Sequence, residues 1–290
     1  MYEAFFGLSA APFDLNHDPK FVFATPRQTA ALRLLEDGLS AGRPLTVLLG
    51  NPGLGKTTIL RTALTSDACR AIQCVHVNNP TMVDASLVNA LLAELLPGTI
   101  PIAPPGQRLQ ALHTLLIDRL SRGIRTALVI DESENLSVEA LAELATIIAL
   151  ESNGARLLPV VLVGLPTLKA MLDRSRLRQW LAAAPPFELA RMDLGQTASY
   201  VLWRVRAARA DGGALFTREA IALIHERARG VPRTVSVICD NALYDAAAMN
   251  QKPVRRDIVA QVCARLDLDS APKVTSDARP QELPRKSAVV

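Results

Sequence analysis

Cysteine is scarce. Four stand in 290 residues, at Cys69, Cys74, Cys239 and Cys263. None forms a C-x-x-C pair, and no histidine lies at metal-ligand spacing from them. That spacing excludes a disulfide framework and a structural zinc site, so the thiols read as reduced and mostly buried. Aromatic residues are also few, at 4% against 49% hydrophobic residues. A sizeable core must therefore be aliphatic, built from Leu, Ala, Val and Ile. Long apolar runs are missing: Leu157 to Leu165, among the longest, falls far short of a membrane span. The N-terminus has no basic leader followed by an unbroken apolar stretch, and it carries Glu3 and Asp14. That excludes a secretory signal peptide and predicts a soluble, cytoplasmic chain. Strong charge imbalance is absent too. A net charge of +4 permits contact with nucleic acid without demanding it.

What is present is concentrated in Pro44 to Thr58, PLTVLLGNPGLGKTT. Leu45 to Leu49 is a short apolar run with strand propensity, and Ile59, Leu60, Ala63 and Leu64 open a helical period. Between them Gly50 to Thr57 fits G-x-x-x-x-G-K-[ST] in full. Strand, glycine-rich loop and helix is the context this pattern needs. Gly50, Gly53 and Gly55 let the backbone turn and expose its N–H groups. Those donors and the positive end of the following helix make a nest for polyphosphate. The expected phosphate-binding set is Gly50, Asn51, Pro52, Gly53, Leu54, Gly55, Lys56, Thr57 and Thr58. Lys56 is expected to reach the β- and γ-phosphates of ATP, and the Thr57 hydroxyl to sit on Mg²⁺.

A second acidic element lies downstream. Thr126 to Asp131 reads TALVID, and Glu132 follows at its end. An apolar strand ending in Asp-Glu, after a phosphate loop, is the expected other half of a nucleotide site. Asp131 would hold the Mg²⁺ shell, and Glu132 would orient or deprotonate the attacking water. The bland alternative is two carboxylates capping the next helix.

Taken in order, the chain divides into four expected parts. Residues 1–42 hold an aromatic-rich arm (Phe5, Phe6, Phe13, Phe21, Phe23) and a helix opened by Thr25 and Pro26, both packing on the core that follows. The arm either walls the adenine side of the pocket or only covers apolar surface. Residues 43–190 alternate strands and helices, with strands at Leu45–Leu49, Ala71–Asn78, Thr126–Asp131, Leu157–Val163 and Pro186–Leu189. The helices between them include Met82–Leu96, Gln107–Arg122, Asn135–Glu151 and Thr167–Leu181, and Gly98–Gly106, with four prolines, must be a loop. Such alternation predicts a five-stranded parallel sheet covered on both faces, an α/β P-loop NTPase sandwich. Ligand then sits at the strands' carboxyl ends. Residues 191–268 show no further strand and read as a small all-helical lid. Residues 269–290 are polar, hold three prolines and lack a period, which predicts disorder.

At these residues the chain resembles a family. MYEAFFGL, PF and HDPKF in the opening arm, then GNPGLGKTT, LVIDESENLS, LLPVVLVG and GVPR, are similar to the general secretion pathway protein A (ExeA/GspA-like) group of AAA+ ATPases. The similarity runs from residue 1 to about residue 268. It implies ATP with Mg²⁺, hydrolysis to ADP and phosphate, a homo-oligomeric ring or filament, and a protein partner in secretion or pilus assembly. A neighbouring group of transposition ATPases, the TniB/TnsC/MuB type, implies DNA as a further partner. Basic clusters Arg174/Arg176/Arg178 and Arg204/Arg206/Arg209, near Trp180 and Trp203, would carry such contact; a solvated helix face is the alternative. Gly230-Val231-Pro232-Arg233 sets a turn and starts a helix, and the resemblance places Arg233 as the lid arginine that reaches the phosphates.

Two departures stand out. The family's fourth strand ends Val-Gly-Gln-Pro, whereas Leu165 replaces that polar sensor here. The Gln-Arg pair expected before the fifth strand is replaced by Leu181 to Pro185, which carries no charge. In the family that pair is the candidate arginine finger for the neighbouring subunit, and Arg174, Arg176, Arg178 and Arg191 are the candidates to replace it. Full-length members also carry a membrane helix and a cell-wall-binding domain, and neither occurs in these residues.

Overall fold

The computed structural model describes residues 2–14, 23–78, 80, 86–96, 104–208 and 215–268. The expected tail at 269–290, most of the proline loop, the first residues of the Met82–Leu96 helix, Phe21 and Arg209 lie outside them.

Seven strands form. They are β1 (Leu45–Leu49), β2 (Ile72–Val77), β3 (Arg125–Ile130), β4 (Glu151–Ser152), β5 (Ala155–Arg156), β6 (Val160–Gly164) and β7 (Phe187–Glu188). Five make one sheet in the order β2-β3-β6-β1-β7, with every pairing parallel. The acidic strand β3 is thus separated from the phosphate-loop strand β1 by β6.

Side-chain alternation explains the layers. In β1, Leu45, Val47 and Leu49 join one apolar cluster, and Leu48 joins another. The first cluster is closed by α4 (Leu87–Leu95), α5 (Pro105–Ser121), α6 (Val138–Ile148), α7 (Thr167–Asp173) and α8 (Arg178–Leu181). The second is closed by α2 (Pro26–Ser40) and α3 (Lys56–Thr65). A buried strand with helices on both sides shows no polar face, which is why these strands read as continuous apolar runs. α2 approaches β1 so closely that a Cβ on Gly38 would stand 2.2 Å from Thr46 Oγ1.

Local chemistry sets the ends. Thr25 and Gln28 cap α2 reciprocally. The long helix expected at Thr167–Leu181 is two pieces instead. Ser175 Oγ donates to the Leu172 carbonyl at 2.8 Å and accepts from Leu177 N–H at 3.1 Å. A serine offering the backbone such partners competes with the helix and ends it. An unexpected hairpin, β4–β5, turns at Asn153 (φ 52°) and Gly154 (φ 76°). Asn-Gly supplies the positive φ that a two-residue hairpin needs.

The C-terminal helices are α9 (Leu194–Ala207), α10 (Arg218–Ala228), α11 (Pro232–Ala248) and α12 (Arg256–Arg265). They share one apolar cluster, and the arm belongs to it. Tyr2 and Phe6 of α1 (Tyr2–Phe6), with Leu8 and Phe13, are buried there and not on the sheet domain. This corrects the packing expected from sequence. Both faces of the sheet are already closed by α2–α8, whereas the helical bundle has apolar surface left to cover. Specific bonds tie the arm down. Ser9 N–H donates to the Ala208 carbonyl at 2.8 Å. Tyr2 donates to Asp240 on α11. Lys252 Nζ stands 4.3 Å from the Phe5 ring centroid. Phe23, at the arm's other end, meets Tyr200 and Trp203 of α9.

Candidate functional site

The carboxyl ends of the five sheet strands converge on one crevice. Gly50 N–H, at the end of β1, donates to the Gly164 carbonyl at the end of β6 at 3.1 Å. Leu189 N–H, after β7, donates to the Leu49 carbonyl at 2.8 Å. Asp131, after β3, donates its N–H to Val77 at the end of β2 at 2.9 Å.

The glycine loop hangs over this edge. Gly53 takes φ 78° and Gly55 φ 90°, conformations that side chains resist. Gly55 is the N-cap of α3 and provides no side-chain bond to it. The first N–H groups of α3 therefore face the loop without the hydroxyl or carboxylate that caps α2, α4, α6, α9 and α10. Lys56 Nζ donates to the Gly50 carbonyl at 2.8 Å and to Asn51 at 3.4 Å. Burial pushes the Lys56 ammonium below the ordinary lysine range, against the pull of Glu134, Asp131 and Glu132. Of the other loop residues, Asn51 and Pro52 are exposed, Leu54 is buried in the core and Thr58 is half-buried.

Across the crevice stand the acids. Thr57 Oγ1 donates to Asp131 Oδ2 at 2.7 Å. Asp131 is buried, and its other oxygen accepts Glu132 N–H at 2.9 Å. Glu132 takes φ 52° and ψ 38°. A non-glycine residue in this left-handed region is strained by roughly 1–2 kcal/mol, and such strain clusters at functional sites. The backbone below is anchored by Ser133, fully buried, whose hydroxyl donates to the Ile130 carbonyl at 2.8 Å. The turn leaves Glu132 exposed, with no hydrogen bond to its carboxylate among the described residues. The capping alternative does not hold: Ser137, not either acid, caps α6.

The helical unit reaches the same loop. Arg233 N–H donates to the Gly53 carbonyl at 3.3 Å. A Cβ on Gly53 would stand 2.9 Å from Val231 Cγ1 and 3.1 Å from Arg233 Cβ. The Arg233 side chain is exposed beside the loop. The structure therefore brings together Lys56, Thr57, Asp131, Glu132 and Arg233. It does not bring in Arg174, Arg176, Arg178 or Arg191, which are exposed and unpaired among the described residues.

Residues 40–172 match the AAA domain family. The fold is that of the AAA+ P-loop NTPases. Over 260 residues it is 31% identical to general secretion pathway protein A of Aeromonas hydrophila, which covers 89% of this chain and 47% of that one. The chain thus spans about half the length of this curated relative. Among solved structures it is similar to Cdc6p from Pyrobaculum aerophilum, at TM-score 0.63 and 20% identity, covering 86% of this chain and 70% of that one. It is similar to Drosophila ORC bound to DNA, at TM-score 0.63 and 17% identity, covering 89% and 67%. The Thermotoga maritima RuvB Holliday junction branch migration motor matches at TM-score 0.56 and 20% identity, covering 85% and 70%. At these identities the likeness is one of fold.

Two residues at the crevice escaped sequence reading. Gln28 Nε2 donates to the Leu54 carbonyl at 3.3 Å, tying α2 to the phosphate loop. Its signal was the Thr25-Pro-Arg-Gln28 capping box. Glu134 Oε2 accepts Leu165 N–H at 3.0 Å, and its signal was the third acid of Asp-Glu-Ser-Glu. Among the described residues no helix is long and apolar enough to cross a membrane.

Proposed function

We propose that this chain is an AAA+ ATPase that binds ATP with Mg²⁺ between the phosphate loop and the two acids. It hydrolyses ATP to ADP and phosphate to drive or switch assembly of a partner complex. The observation that carries the reading is the Thr57–Asp131 bond of 2.7 Å, with Lys56 and Glu132 opening on the same crevice. Thr57 and Asp131 would hold Mg²⁺, which supplies charge neutralisation on the phosphate oxygens when bound. The backbone N–H groups of residues 53–58 and the end of α3 suit an anion. Lys56, held now by two carbonyls, has an ammonium to give to phosphate. Glu132, exposed and without a partner, takes the proton of an attacking water. Arg233, seated on Gly53 by its backbone, would read the phosphates and so couple nucleotide to the angle of the helical unit.

The partner is proposed from likeness to general secretion pathway protein A: a protein assembly of the secretion or pilus type, served by a homo-oligomeric ring or filament in the cytoplasm. Titration with a fluorescent ATP analogue tests the site. Lys56→Ala should abolish binding and Glu132→Gln should bind but not turn over. Unchanged affinity in Lys56→Ala would mean that phosphate binds elsewhere.

A second reading, an ATP-dependent DNA-binding regulator of the TniB/TnsC/MuB type, has one observation behind it. Lys169, Arg174, Arg176 and Arg178 are exposed along α7–α8 and no acid pairs with them among the described residues. The other basic cluster does not contribute as expected, because Arg204 is buried. Phosphate contacts would make DNA binding steeply salt-dependent. Absence of ATP-dependent duplex binding at low salt would remove this reading.

A further inference from the structure

A third carboxylate stands at the crevice, and neither the phosphate loop nor the Asp-Glu pair explains it. Glu134 lies in the single turn Ser133–Asn135 that follows Glu132. Its Oε2 accepts the N–H of Leu165, the residue just past β6. Packing at that point is tight. A Cβ on Gly164 would stand 2.6 Å from the same oxygen and 3.4 Å from Glu134 N. Gly164 in turn receives Gly50 N–H, the first residue of the phosphate loop. One carboxylate therefore ties the Glu132 turn to the strand tip that holds the loop. Leu165 has no polar side-chain atom of its own to do this. Glu134 is also the leading acidic influence on Lys56, which places it on the crevice side of the turn.

We propose that Glu134 is a positioning residue for ATP hydrolysis. By holding Leu165 N–H it fixes the β6 tip and the phosphate loop in register with Glu132. This rests on the crevice being the ATP site. The hydrogen bond, rather than the negative charge, is what matters in this role. A glutamine keeps an acceptor oxygen at the same reach and loses the charge. An aspartate keeps the charge and withdraws the oxygen by one methylene.

The test is steady-state turnover and fluorescent ATP-analogue binding for Glu134→Gln and Glu134→Asp, with melting temperatures measured alongside. Misplacement of reacting groups by about an ångström costs on the order of 10²-fold in rate. Glu134→Asp is therefore expected to lose roughly 10- to 100-fold in kcat, with KM within about 3-fold of wild type. Glu134→Gln is expected to stay within about 3-fold of wild type in both. Full activity of Glu134→Asp overturns the proposal. So does a Glu134→Gln enzyme as slow as Glu134→Asp, because the charge would then be the active property. A rise in KM alone also overturns it, because it would mark a binding role. A wild type that binds no ATP analogue overturns the ATP site itself, and is seen before any variant is compared.

Discussion

Glu132 carries a conflict that a pair of substitutions can expose. Its backbone sits at φ 52°, ψ 38°, where an L-residue pays for Cβ crowding. Glycine lacks that Cβ, so Glu132→Gly relieves the strain, while Glu132→Ala keeps it and removes only the carboxylate. Glycine also loses more freedom on folding, by roughly 0.5–1 kcal/mol, which offsets part of the relief. At a left-handed position the balance still favours glycine over alanine by about 1 kcal/mol. For a chain of this size that is about 2–4 °C in melting temperature. Differential scanning fluorimetry without nucleotide should thus rank Glu132→Gly above Glu132→Ala. Both should lose on the order of 10²–10⁴ in kcat, the usual contribution of a general base. Alanine melting at or above glycine would show that the left-handed turn is not held in solution. Retained turnover in either variant would show that another group takes the proton.

The loop and helical unit meet at Gly53, where a Cβ would press on Val231 and Arg233 at 2.9 and 3.1 Å. Gly53→Ala should cost about 1–3 kcal/mol and shrink the thermal shift produced by ATP, because overpacking parts the two surfaces. Tyr2→Phe removes the hydroxyl that Asp240 accepts, a bond to a charged group worth about 1.5–3 kcal/mol. Hydrogen exchange over residues 2–8 should accelerate, and unchanged protection would mean that the arm is held by its apolar contacts alone. Burial pushes the Cys74 thiol up to about 11 and raises Cys69 and Cys239 as well. Iodoacetamide at pH 8 should label these three slowly in the native protein and fully after denaturation, since only the thiolate reacts.

The phosphate loop was legible because its chemistry is contiguous. Nine residues, Gly50 to Thr58, carry the glycines, the ammonium and the hydroxyl, flanked by a strand and a helix whose periods differ. Strands β1, β3 and β6 were legible for a related reason: each is a largely apolar run bounded by turn residues. Their order was not readable in the same way. β6 lies between β3 and β1 although it follows both in the chain, an arrangement made by pairing across more than a hundred residues. The β4–β5 hairpin was missed although Asn153-Gly154 announced it, because four strand residues leave no alternation to detect.

Arginine shows where reading along the chain stops. Arg204, Arg206 and Arg209 form a basic run at every second or third position, and such a run reads as a solvated or DNA-facing surface. Arg204 is only 8% exposed. Its Nη1 donates to Tyr200 Oη at 2.9 Å and to Ser236 Oγ at 3.2 Å, and its Nη2 donates to the Asp14 carbonyl at 3.2 Å. One guanidinium thus links α9, α11 and the arm, using a fork of donors that lysine does not have. The Tyr200 spacing was visible, one helical turn away, but Ser236 and Asp14 are distant in sequence. A charge can be buried only where partners are brought to it, so its place depends on the fold and not on its neighbours in the chain. Glu134 is the same case with the opposite sign. Written as the third acid of Asp-Glu-Ser-Glu it looks like one more solvated carboxylate, until Leu165 arrives with an N–H from thirty-one residues away.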